Sequence, residues 1–104
     1  MSLIIDLNRD EIITSLRRLE TKLRKHGIIS LAIFGSRSRG DARPNSDLDV
    51  LIEVERDRKF SLLDLVGISH IIGDELGIPA NMFMRRSLEP QMARTIKPDI
   101  IEIF

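Results

Sequence analysis

Apolar residues recur along this chain at two spacings, and the switches between them mark its elements. Ile12, Ile13, Leu16, Leu19 and Leu23 fall on one stripe of a 3.6-residue period, which predicts an amphipathic helix. Asn8 precedes the stripe and Glu11 follows three residues later, a capping-box-like start, while Gly27 ends it after a basic last turn. Ile28 to Phe34 is a short apolar run interrupted only by Ser30 and closed by Gly35, the pattern of a buried strand. A polar stretch from Ser36 to Ser46 leads into a second strand predicted over Asp47 to Val54, and Glu55 to Lys59 forms a charged connection. Ser61 with Asp64 caps a second amphipathic helix that runs to Leu76 and stops at Gly77. Pro79 to Met84 reads as a third strand, with Met82, Phe83 and Met84 as strand core. Ser87 reads as the cap of a short helix with Pro90 in its first turn, and Asp99 to Phe104 as a last strand.

The order helix, strand, strand, helix, strand, helix, strand contains no linker, repeat or low-complexity tract. It predicts an α/β (α+β) fold, a mixed sheet of about four strands flanked by helices, in which the polar loop lets the first two strands pair antiparallel. A length of 104 residues makes one domain, 1–104, the expectation.

Charge and residue usage then exclude several function classes. The 16 Lys+Arg balance 16 Asp+Glu, so the broad positive field of a duplex nucleic-acid binder or a membrane-surface protein is missing. Direct nucleic-acid binding through Arg37, Arg39 and Arg43 is further weakened by Asp41, Asp47 and Asp49 beside them. With no cysteine, disulfides, thiol catalysis and Cys-ligated zinc are excluded. No apolar run approaches the ~20 residues of a membrane span. Met1 to Asp6 has neither the basic start nor the long apolar core of an export signal. A cytoplasmic location is the resulting expectation. His26 and His70 are isolated and read as surface residues, and Arg85 and Arg86 as solvated ones.

The chemistry-bearing run is Gly35-Ser36-Arg37-Ser38-Arg39-Gly40 followed by Ser46-Asp47-Leu48-Asp49. Gly35 ends a buried strand without a side chain, so a ligand can approach its backbone, and Ser36 offers a hydroxyl and an amide where a short helix starts, together a seat for phosphate. Asp47 and Asp49 lie two apart on a strand and project from one face, while Leu48 and Val50 point into the core. Two such carboxylates, ~7 Å apart along the backbone, repel each other unless a cation lies between them. An oxygen site of this kind suits Mg²⁺ bound together with substrate phosphates.

The whole pattern, from Gly-Ser through Ser-Asp-x-Asp into an apolar strand, resembles the DNA polymerase β-like nucleotidyltransferase superfamily. It is most similar to the minimal nucleotidyltransferases, the MNT proteins with their MntA-like antitoxins. The resemblance implies a metal-dependent transfer of a nucleoside monophosphate, AMP from ATP, to an acceptor hydroxyl, with two Mg²⁺ ions at the entering and leaving oxygens. It implies that Gly35 and Ser36 hold the triphosphate, that Asp47 and Asp49 bind metal, and that Arg39 is a basic residue near the phosphates. It also implies a small all-helical HEPN partner in a toxin–antitoxin pair. One position departs: where the family carries a third Asp on the next strand, this chain has Asn81. An amide can give one oxygen to a metal but cannot accept a proton at neutral pH, so an impaired transferase is expected, and the alternative is a catalytically silent module that binds nucleotide or partner.

Overall fold

In the computed structural model, which describes residues 8–104, the first apolar stripe forms two helices where one was expected. The reading of residues 1–6 falls outside the described residues. Helix α1 spans Arg9–Arg18 and α2 spans Glu20–Lys25. They meet at Leu19, whose N–H reaches back only three residues, to Leu16 O at 3.0 Å. The tightened turn leaves Ile12, Leu16, Leu19 and Leu23 all buried, so the hydrophobic period passes through the break unmarked. Asn8 caps α1 as expected, its side-chain oxygen accepting the Glu11 N–H at 2.9 Å.

The strands are β1 Ile28–Phe34, β2 Leu48–Val54, β3 Ala80–Met84 and β4 Ile101–Glu102. The remaining helices are α3 Ser36–Arg39, α4 Leu62–Leu76 and α5 Pro90–Ile96. The strands form one mixed sheet in the order β3-β2-β1-β4, with β1 antiparallel to both β2 and β4, and β2 parallel to β3. The expected fold class therefore holds, with four boundaries corrected. The third strand begins at Ala80, leaving Pro79 outside it. Asp47 lies just before β2. The last strand shortens to two residues. Ser87 closes a 3-10 turn, Arg85–Ser87, and the residue at the start of α5 is Glu89. Pro90 restricts the residue before it to extended backbone, and Glu89 has φ −65° and ψ 142°, so the helix cannot begin earlier.

Alternation along the strands divides the core. On one face of the sheet Leu31, Ile33, Leu48, Val50 and Ile52 pack under α1, α2 and α4, joined by Met82 and Met84. On the other, Ala32, Phe34 and Leu51 pack with Phe83 and with Ile96 of α5. Phe34 and Phe83 meet edge to face with centroids 5.2 Å apart. The register sets two cross-strand rows on this second face, Phe34–Asp49–Asn81 and Ala32–Leu51–Phe83. The polar row lies beyond the apolar one at the end of the sheet where β1 runs into α3. Among the described residues no helix is long and apolar enough to cross a membrane.

Candidate active site

Parallel pairing of β2 with β3 places Asn81 directly beside Asp49. The Asn81 Nδ2 donates to Asp47 Oδ2 and to Asp49 Oδ1, each at 3.3 Å, so the amide lies between the two carboxylates with its positive end toward them. Sequence reasoning proposed these three residues together, and the fold assembles them. Burial, then the neighbouring Asp47 charge, push the Asp49 carboxyl above the ordinary carboxylate range, while donation from Asn81 and the field of Arg39 oppose the shift. Two acceptors around a weak positive pole form a donor set that fits a divalent cation, with Asn81 able to turn and present its Oδ1. Among the described residues no group of three or more His, Cys, Asp or Glu is placed to hold a metal, and the third position beside Asp47 and Asp49 is the amide of Asn81.

Gly35 closes the site from β1. Its φ of +78° and ψ of −158° belong to a region essentially confined to glycine. A Cβ there would also overlap Asp49 Oδ2, so glycine is required for the Asp49 carboxylate to pack as well as for the backbone to turn. The chain then makes the single turn of α3, in which the Ser38 and Arg39 N–H groups return to Gly35 O at 3.1 and 3.0 Å. The leading N–H groups of such a turn have no helical acceptor and remain available beside Ser36.

Arg39, expected on the phosphate side, is exposed and already engaged. It donates through Nε to Asp41 at 3.1 Å and through Nη1 to Asp99 at 2.8 Å, which raises its pKa further. The basic cluster read from the sequence is split, because Arg37 is only 3% exposed and turns inward. Its Nε and Nη2 reach Ser46 O at 3.1 and 2.8 Å, and Nη2 also reaches Pro44 O at 3.2 Å. Arg37 thus ties down the loop that delivers Asp47. Its composition gave no signal, since an arginine in a polar stretch reads as solvated. Ser38 is also buried and donates through Oγ to Asp99 O, while Arg9 Nη1 donates to Ser38 O at 3.1 Å.

Asp41 and Asp99 reach the rim of the site through Arg39, whereas Glu53 does not. Glu53 faces the far end of the sheet, accepting from Ser30 Oγ at 3.1 Å. Arg85, expected in solvent, instead bridges Glu53 and Glu102. Its Nη2 donates to Glu102 Oε1 at 2.9 Å, and its Nε lies 3.3 Å from Glu53 Oε1 without the alignment of a hydrogen bond.

Residues 16–103 match the family model described as the nucleotidyltransferase domain. A Methanocaldococcus jannaschii protein provisionally named a protein adenylyltransferase is 34% identical over 80 residues, covering 76% of this chain and 80% of its own. The protein adenylyltransferase MntA of Thermococcus cleftensis is 29% identical over 98 residues, covering 93% of this chain and 97% of its own. A solved structure provisionally described as a minimal nucleotidyltransferase superposes with a TM-score of 0.77 at 26% identity, over 92% of this chain and 96% of that one. The fold also recurs, at 12% identity and a TM-score of 0.65, over 89% of this chain and 71% of the matched chain in a complex of a tri-AMPylated Shewanella oneidensis HEPN toxin with its MNT antitoxin. With the model spanning most of its length, the chain belongs to the nucleotidyltransferase domain family.

Proposed function

We propose that this protein transfers AMP from ATP to a hydroxyl on a protein acceptor, a helical HEPN partner of the kind found in the Shewanella complex. The observation that carries the reading is the convergence of Asp47, Asp49 and Asn81 at 3.3 Å beside a glycine that can bear no side chain. In the reaction the acceptor oxygen bonds to the α-phosphorus, the bond from that phosphorus to the bridging oxygen breaks, pyrophosphate leaves and the hydroxyl proton passes to solvent. Asp47 and Asp49 would hold Mg²⁺, which when bound neutralises charge on the phosphates. Gly35 and Ser36 line the phosphate seat with main-chain donors, and Arg39 adds positive charge at its rim. Asn81 orients both carboxylates but offers no base, which supports a transferase slower than one carrying a third carboxylate.

The second reading, a silent binding module, is favoured by the same amide, because Asn81 already supplies the carboxylates with hydrogen-bond donors. The two readings separate on incubation of the protein and its HEPN partner with α-labelled ATP and Mg²⁺. The transferase reading expects label on the partner that disappears in Asp49→Ala. Mg²⁺–ATP binding with no label on the partner would establish the silent module.

A further inference from the structure

Asp99 reaches the site only through Arg39, yet it is bonded to α3 twice. Its main-chain O accepts from Ser38 Oγ, and its Oδ2 accepts from Arg39 Nη1 at 2.8 Å. Ser38 is buried, and its own O accepts from Arg9 Nη1 at 3.1 Å, so the contact joins α1, α3 and the segment after α5. Asp99 is also held from both sides along the chain. Ile96, three residues earlier, is buried in a cluster with Ala32, Phe34 and Leu51, and Ile101, two residues later, pairs with Ile33 of β1.

Arg39 has a second carboxylate partner, Asp41, at 3.1 Å, but the two are not equivalent. Asp41 lies two residues along the same segment with its side chain 62% exposed, whereas Asp99 is sixty residues away and 20% exposed. Only Asp99 ties the guanidinium to the sheet. A guanidinium is a rigid planar fork of five N–H donors, so bonds through Nε and Nη1 fix its plane and the direction of Nη2. Nη2 has no partner among the described residues. Ser36 and Arg39 are three apart in α3 and share one side of its single turn. The field of Arg39 also reaches Asp49, where it opposes the upward shift of that carboxyl. With two carboxylates on one guanidinium the cluster carries a net negative charge, so orientation, more than charge, is what it offers a phosphate.

We infer that Asp99 is a positioning residue for the nucleotide, holding Arg39 so that Nη2 donates to the triphosphate seated at Gly35 and Ser36. The inference rests on the AMP-transfer reading for its ligand and on the two Asp99 bonds for its geometry. Asp99 touches no phosphate and moves no proton; it acts through Arg39 alone. A carboxylate that was merely a neighbour would act in the opposite sense, because deleting negative charge beside an anion's seat tightens the anion's binding.

The test is a double-mutant cycle on Mg²⁺–ATP binding by calorimetry, with Asp99→Ala, Arg39→Ala and the two combined. Asp99→Ala keeps the main-chain oxygen that Ser38 bonds. It should raise the Kd about three- to tenfold, the effect of returning its freedom to one long side chain, and Asp99→Asn, which keeps an acceptor oxygen, should recover part of that loss. In the Arg39→Ala background, Asp99→Ala should change the Kd less than about twofold. With α-labelled ATP, Asp99→Ala should raise the KM for ATP more than it lowers kcat. Should Asp99→Ala fail to fold, Asp99→Asn carries the same cycle with a smaller loss that still depends on Arg39. Tighter or unchanged Mg²⁺–ATP binding, or an equal loss with and without Arg39, would overturn the positioning role. Coupled binding with no label on the partner would keep that role and refute the transfer reading instead, and a parent protein that binds no Mg²⁺–ATP would overturn both.

Discussion

Replacing Asn81 by Asp tests the electrostatics of the site directly. The amide donates to Asp47 and Asp49 at 3.3 Å, so Asn81→Asp exchanges two attractions for two repulsions at nearly the same separation. Unit charges about 4 Å apart interact by about 1 kcal/mol in water and about 4 kcal/mol at an effective dielectric of 20. Asn81 and Asp47 are exposed and Asp49 half-buried, which places each pair toward the lower figure. Without metal the variant should therefore lose about 2–3 kcal/mol at neutral pH and low salt, a fall in Tm of roughly 10–20 °C for a domain of this size. Mg²⁺ at a hundred times its Kd returns about 2.7 kcal/mol, enough to cancel that loss. The new carboxylate also supplies the missing base, so labelled AMP transfer to the acceptor should rise by about two orders of magnitude. Thermal melts with and without Mg²⁺, paired with the labelling assay and an Asp49→Ala control, measure both effects. A variant as stable as the parent, indifferent to Mg²⁺ and no faster in transfer would refute the placement of Asn81 in the reacting site.

Asp49→Asn should stabilise the metal-free protein. The folded-state carboxyl titrates above the unfolded value of 3.8, so ionisation disfavours the fold, and the gain over wild type should be full at neutral pH and shrink as pH falls through the raised pKa, as pH-dependent melts would show. Arg37→Ala removes three hydrogen bonds from a buried guanidinium and leaves the Pro44 and Ser46 carbonyls without it, so denaturant unfolding should reveal a loss of about 2–4 kcal/mol, and Arg37→Lys should recover only part of it. Gly35→Ala forces a Cβ against Asp49 Oδ2 at positive φ and should cost about 1–3 kcal/mol in unfolding experiments, with weakened Mg²⁺–ATP binding by calorimetry. For Asp64→Asn the sign is opposite to Asp49: Ser61 holds the Asp64 carboxyl below its usual range, so the variant should be less stable than wild type at neutral pH, and the difference should vanish as pH falls below 3.8 and through the lowered pKa.

The capping pairs at Asn8 and Ser61 were enough to place the starts of α1 and α4, because these signals are local. The candidate site was read for a related reason: Asp47 and Asp49 lie two apart on one segment and Gly35 ends the apolar run before it, whereas Asn81, distant in sequence, was added only through the family resemblance. What stayed hidden depended on partners distant in sequence. Arg37 is buried because carbonyls nine and seven residues away accept from it, and Arg85, its side chain still 34% exposed, is paired because Glu53 and Glu102 lie on two strands distant in sequence. The break at Leu19 carries neither Gly nor Pro, and Ser87 was outranked by the stronger constraint of Pro90 on Glu89.

The fastening of α3 to Asp99 has a consequence for timing. Ser38 and Arg39 both bond to Asp99, which follows β3 by fifteen residues, so the loop beside the carboxylates is secured by a segment synthesised later than everything it secures. The ladders that set Asp49 beside Asn81 do not involve Asp99, so the carboxylate row and the clasp on α3 are held by different parts of the chain.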